Sequence, residues 1–266
     1  MKNKLLVTGL LSIATVTSAA SAAELMPNLS LVPAGWTTDR YEPTSFSNVG
    51  TFQGRDNVLG IEITSAGGQL SRPGGQQGLF YSTQGRKHLI TGGAGDTLSA
   101  DLWVDSSWQD SANGHVRSDV WGTMIDSADA VSAYPILGFT NYGGAARFRY
   151  YDGDVASGWV DLLSTQVLFG AWNTLSIGFT GTEFTFSVNG VQVGTDATIG
   201  GSTGFKEVIM QAYNFDHADI AGEVLADYTA HWSNVSTGQN VPDSGMTLGM
   251  LGLALAGVAF LRRKMA

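Results

Sequence analysis

Between its two ends the chain breaks into short segments in which apolar and polar residues alternate with a period of two. No long stretch repeats apolar residues at helical spacing, and Gly, Asn and Asp punctuate the segments. Both features predict strands joined by turns. The candidate strands are Val58–Ile63, Thr97–Val104, His115–Ile125, Ala133–Thr140, Ala146–Tyr151, Thr174–Phe179, Glu183–Asn189, Val191–Thr195, Glu207–Tyr213 and Tyr228–Ser233. Strands of this number and spacing predict an all-β sandwich or barrel.

The most specific local expectation is a hairpin at Asn189-Gly190, a dipeptide suited to a type I′ turn, in which both central residues take positive φ. Folding there sets Val188 opposite Val191 and Phe186 opposite Val193, with Phe184 extending the same side. Thr185, Ser187 and Gln192 fall on the other side. A slip of one residue would destroy this agreement, so the pattern specifies the register.

The same alternation sorts charged and aromatic residues onto faces. Arg117, Asp119 and Trp121 share one face of their strand, with Val116 and Val120 opposite. Arg147 and Arg149 share a face opposite Phe148 and Tyr150, and Asp101, Trp103 and Asp105 alternate with Leu102 and Val104. Three strands are thus expected to present Arg, Asp and Trp on one sheet surface. Planar rings stack on the C–H faces of sugars and fixed donors hold hydroxyls, so Arg117, Asp119, Trp121, Arg147 and Arg149 form the candidate polysaccharide-binding set. The alternative is a solvated face with local ion pairs, because an exposed antiparallel face is polar in any case.

The two ends depart from this pattern. Lys2 and Lys4 precede an apolar run from Leu5 to Val16 and small residues from Ser18 to Ala23, the layout of a cleaved secretory signal peptide over residues 1–23. At the other end Val241, Pro242, Asp243, Ser244 and Gly245 precede sixteen uncharged residues and then Arg262, Arg263 and Lys264. Sixteen helical residues rise about 24 Å, short of the roughly 30 Å hydrocarbon core. Such a helix suits transient lodging in the inner membrane, with the three basic residues as a cytoplasmic stop. The expected organisation is a signal peptide (1–23), a β-sandwich domain (24–236), a linker (237–240) and a sorting segment (241–266).

This tail resembles the VPDSG variant of the PEP-CTERM sorting signals, matching its five-residue motif from Val241 to Gly245. The resemblance implies that an exosortase recognises the motif and removes the helix, passing the protein to the cell surface or extracellular matrix. A second resemblance rests on Trp172-Asn173-Thr174-Leu175 followed by Phe184, Phe186, Val188, Asn189, Gly190 and Val193. This stretch is similar to one in concanavalin A-like (laminin G-like) domains, with Tyr228–Ser236 as the closing strand. It implies a jelly-roll sandwich of two antiparallel sheets.

Composition narrows the function. Cysteine is absent, which excludes thiol catalysis, disulfides and cysteine metal sites. Removing both signals leaves nine basic and 22 acidic residues, a net charge of −13. That charge repels nucleic acid, so no nucleic-acid partner is expected.

No catalytic set stands out, and the expectation is a protein without activity. One family of glycoside hydrolases on this fold carries its carboxylates as Glu-x-Asp-x-x-Glu or Glu-x-Asp-x-Glu, and the chain has neither. Asp101 and Asp105 on one strand would lie about 13 Å apart, too far for a catalytic pair. Arg117 and His115, with tyrosines, could be assembled into a lyase-like site, but no motif compels it. A polysaccharide-degrading enzyme and a non-binding structural matrix protein are the alternatives. No cofactor is expected. A structural calcium at Asp216, Asp219 or Asp227 is allowed by the residue types, though a polar loop is the simpler account. Tyr150, Tyr151, Trp159 and Trp172 read as core or rim packing.

Overall fold

The computed structural model describes residues 27–239 except Ser157. The signal peptide and the sorting segment therefore lie outside the described residues. The described strands, in chain order, are β1 (Thr37–Thr38), β2 (Ser45–Asn48), β3 (Leu59–Ile63), β4 (Thr83–Gly92), β5 (Asp96–Val104), β6 (Arg117–Ile125), β7 (Val131–Ala133), β8 (Ile136–Thr140), β9 (Arg147–Tyr151), β10 (Trp159–Leu162), β11 (Ala171–Phe179), β12 (Phe184–Val188), β13 (Val191–Asp196), β14 (Gly204–Tyr213) and β15 (Tyr228–Gln239). The described helical turns are all short 3-10 turns. None is long and apolar enough to cross a membrane.

The first sheet has the order β1-β4-β14-β6-β8-β9-β10, with β7 also paired to β6; the second has the order β13-β12-β11-β5-β15-β3-β2. Neighbouring strands are antiparallel throughout. The alternation explains the packing. Leu98, Ala100, Leu102 and Val104 of β5 and Leu175, Ile177 and Phe179 of β11 face inward from the second sheet, against Val120, Leu137, Phe139, Phe148 and Met210 of the first. The core runs from Leu29 to Val235, and Ala23–Asn240 forms one compact unit. This segment therefore holds its own hydrophobic core, the condition for a unit that folds by itself.

Two polar bridges cross the core. Trp232 of β15, fully buried, donates its indole N–H to Ser118 Oγ of β6 at 3.0 Å, and Ser118 donates to the carbonyl of Gln211 at 2.7 Å. The Tyr228 hydroxyl sits 2.8 Å from the carbonyls of both Arg117 and Tyr213 and accepts the Tyr213 N–H at 3.0 Å. Burial pushes its phenol far above its ordinary value, so it stays a neutral donor. It thereby clamps the backbones of β6 and β14 where the outer face of the first sheet begins.

The hairpin forms at Asn189-Gly190, with φ of +50° and +78°. Val188 pairs with Val191 as expected, and Ser187 with Gln192. A bulge between Phe186 and Ser187 then shifts the register, so Phe186 pairs with Gly194 and not with Val193. The absent side chain at Gly194 leaves room for Tyr150, which stacks on Phe186 at 4.5 Å. Gly190→Ala is expected to destabilise the domain by about 1 kcal/mol, because alanine is strained at this φ; urea unfolding measures it. The last strand also runs further than expected, pairing Thr237, Gly238 and Gln239 with β5 across residues read as a linker.

Candidate functional site

Register brings the five candidate residues to one surface. On β6, Ser118 and Val120 turn inward, so Arg117, Asp119 and Trp121 turn outward. Asp119 lies opposite Gln211 on β14 and Gly138 on β8. Gly138 lies opposite Arg149 on β9, and Arg149 opposite Asp161 on β10. One row of outward residues thus crosses five strands. The adjacent row runs Arg117, Thr140, Arg147. On the other side Trp121 lies between Ile209 and Ile136.

Asp101 and Trp103 do not join this surface. They lie on β5 in the second sheet, with Asp105 just after it. Alternation fixes which residues share a strand face, not which sheet the strand enters. Asp101 is consumed by Arg55, by Thr174 Oγ1 at 2.5 Å and by Asn234 Nδ2 at 2.8 Å. Trp103 packs on Phe52 and Trp172, and Asp105 caps a 3-10 turn through the Ser107 N–H.

Asp119 is fully enclosed. One of its oxygens accepts from Arg117 Nε at 2.7 Å and from the Gln211 amide, while Oδ1 has no hydrogen-bond partner. The carboxylate fits because position 138 is glycine: a Cβ there would sit 1.9 Å from Asp119 Oδ1. Trp121 is 6% exposed, covered by the Arg40 guanidinium 4.4 Å from its ring centre, and so forms floor and not a stacking platform. Arg147 is likewise spent, pairing with Asp161 at 2.8 Å and donating to the carbonyls of Tyr142 and Ala145.

What faces outward is a different subset. A cavity of about 230 Å³ is lined by Arg117, Arg149, Trp159, Tyr213, Tyr142 and Phe215, among others. Arg149 lies 4.0 Å from the centre of the Trp159 ring, and Arg117 lies 4.8 Å from Trp159 and 5.0 Å from Tyr213. Burial, reinforced by the like charge of Arg117, pushes the Arg149 guanidinium down to about 10. Burial also raises the Tyr213 phenol, against the lowering effect of Arg117. The volume is below the 300–1,000 Å³ typical of drug-sized ligands, and suits one ring of a longer chain.

Alternation could have found Trp159 and Tyr213, since Trp159-x-Asp161 and Gln211-x-Tyr213 each place two outward residues on a strand. Nothing in the sequence marks Arg40, which reaches the face from the segment between β1 and β2.

His115 is held behind Tyr142, whose ring it meets edge-on at 5.0 Å. Its Nδ1 accepts the Val224 N–H at 2.8 Å and burial lowers its basicity, so it stays neutral. Asp119 and Asp161 stand three strand spacings apart in the row, about 14 Å between α-carbons. Arg149 lies between them, which is not the close carboxylate pair of a glycosidase. His217 is tied by Gln77 O and the Asp219 N–H, and Asp227 accepts from Ser65 N. Three other carboxylates, Asp152, Asp154 and Asp196, come within 4.8 Å of one another. Asp152 already accepts the Asp154 N–H, and Asp196 accepts those of Gly153 and Thr198.

The family model described as the VPDSG-CTERM motif matches residues 240–265, a sorting-type signal that implies export. No curated protein matches the chain. Among solved structures the sandwich has jelly-roll-like neighbours. A sialidase is similar at 14% identity and a TM-score of 0.46, covering 79% of this chain, which spans only 17% of that protein. A carbohydrate-binding module, CBM66 from Bacillus subtilis, is similar at 12% identity and 0.41, covering 76% of this chain and 94% of the module. A Bacillus licheniformis β-glucanase is similar at 15% identity and 0.44, covering 78% and 93%.

Proposed function

We propose that this is an exported cell-surface or extracellular-matrix protein whose outer face on the first sheet binds polysaccharide. In this reading an exosortase recognises Val241–Gly245 and separates the domain from its hydrophobic tail. The observation that carries the binding reading is the convergence of Arg117 and Arg149 with Trp159 and Tyr213 around one ring-sized cavity. Aromatic rings supply stacking surfaces for sugar C–H faces, and guanidinium groups supply rigid donors for ring and exocyclic oxygens. The surrounding residues hold these groups in place: Asp119 orients Arg117, Arg147 braces Asp161, and Tyr228 fixes the strand ends.

Affinity electrophoresis of Ala23–Asn240 through gels containing plant and bacterial envelope polysaccharides tests this. Retardation by at least one polysaccharide is expected. Trp159→Ala is expected to weaken it at least tenfold, because the ring that aligns both arginines is lost. A protein that migrates freely through every gel, or a Trp159→Ala variant retarded like the parent, contradicts the proposal and favours a matrix protein without a carbohydrate ligand.

A further inference from the structure

Among the described residues one guanidinium on the outer face of the first sheet, that of Arg149, has no ion-pair partner. Arg117 is paired with Asp119 and Arg147 with Asp161. Arg40 has Asp39, though at a distant 3.8 Å. Arg149 has no carboxylate within ion-pair distance, and its Nε is buried without a hydrogen-bond partner. Its nearest ring is Trp159 at 4.0 Å, and it feels Arg117 and Arg147 as like charges against the weaker opposing pull of Asp119 and Asp161, neither of which pairs with it. The acid on the cavity rim, Asp219, is 73% exposed and lies 3.8 Å from His217 Nδ1.

An unmatched, partly desolvated guanidinium is an unusual choice in a chain with net charge −9, where acids are plentiful. Keeping it charged out of water is unfavourable unless an anion arrives. We infer that the ligand of this face is an anionic polysaccharide, and that Arg149, with Arg117 beside it, receives a carboxylate or sulfate carried by the sugar in the cavity. This deepens the polysaccharide-binding reading and rests on it. The planar fork of a guanidinium donates side by side to two oxygens of such a group. Trp159, Tyr213 and Tyr142 line the same cavity and supply the walls for the sugar ring. The ligand's negative charge would supply the missing counter-ion and offset the like charges of Arg117 and Arg147. The acidity of the rest of the domain does not forbid this, since at physiological ionic strength its field decays over about 8 Å.

The test compares binding of Ala23–Asn240 to polygalacturonate (carboxylate), dextran sulfate (sulfate) and dextran (neutral) at 0.15 M salt. At least one polyanion is expected to bind tenfold or more tightly than dextran, and which one identifies the anionic group. Arg149→Gln is expected to lose that preference without a fall in its unfolding midpoint. Arg149→Lys, which keeps the charge and loses the fork, is expected to retain the preference at threefold or more weaker affinity. If Arg149→Gln does not fold, the lysine variant carries the comparison. Equal binding of charged and neutral chains, or an undiminished preference in Arg149→Gln, overturns the anionic-ligand inference and leaves polysaccharide binding standing. No retention by these three or by any envelope polysaccharide overturns the binding reading beneath it.

Discussion

Asp119→Ala is expected to lower the unfolding free energy by about 3–5 kcal/mol, the usual effect of removing one partner from a buried ion pair. Asp119 is fully enclosed and is the acceptor for both Arg117 Nε and the Gln211 amide. Without it, Arg117 loses its ion-pair partner and the Gln211 amide loses its acceptor. In a domain of this size the midpoint of thermal unfolding should fall by roughly 10 °C. The double variant Asp119→Ala/Arg117→Met should recover much of the loss, because it removes the stranded charge along with its partner. Calorimetry of the parent, both single variants and the double variant gives the coupling directly. A single-variant loss under about 1 kcal/mol, the range of exposed pairs, would mean that the pair is solvated.

Trp232→Ala is expected to cost about 3–5 kcal/mol through lost packing alone. Trp232 is among the largest fully buried side chains, and its indole N–H also joins the two sheets through Ser118. Trp232→Phe separates the two contributions. It keeps most of the apolar area and leaves Ser118 Oγ without that donor, so a cost of about 1–3 kcal/mol is expected from the smaller volume and the lost hydrogen bond. Urea unfolding of both variants reads the difference. A phenylalanine variant as unstable as the alanine one would show that the polar bridge, and not the packing, dominates at this position.

How far the sequence was legible depended on the range of the interactions that decide each feature. The hairpin at Asn189-Gly190 is specified within the dipeptide by its need for positive φ, and the structure has it. The bulge beyond it is set by Tyr150 on another strand filling the space at Gly194, which no local pattern reveals. The outward placement of Arg117, Asp119, Trp121, Arg147 and Arg149 follows from period two, and all five share a surface. Their separate fates do not follow from it. Asp119 is enclosed because residue 138 on the next strand lacks a side chain, and Trp121 is covered because Arg40 arrives from a distant loop.

β4 gave no strand signal because three of its inward residues, Gln84, Arg86 and His88, are polar, and only Ile90 on that face joins the core. Gln84 bonds Gly67 O, Arg86 lies over Phe46, and His88 packs on Trp36, so the N-terminal segment covers what an apolar face would otherwise need to meet. β5 was readable as a strand, while its place in the second sheet depends on pairing with β11 and β15, both far along the chain. The sorting motif, by contrast, is a local string of letters and needed no fold to be read.

The most direct test of polysaccharide binding by this face is side-chain NMR of Ala23–Asn240 during titration with anionic (polygalacturonate, alginate) and neutral (dextran, β-glucan) oligosaccharides. Indole N–H signals separate the two sheets, because Trp121 and Trp159 belong to the first and Trp103 and Trp172 to the second. The account predicts that the Arg117 and Arg149 Nε–H signals and the Trp159 indole signal shift in a saturable way, while those of Trp103 and Trp172 stay in place. Saturable shifts confined to Trp103 and Trp172, or no shift at any of these groups, would contradict it.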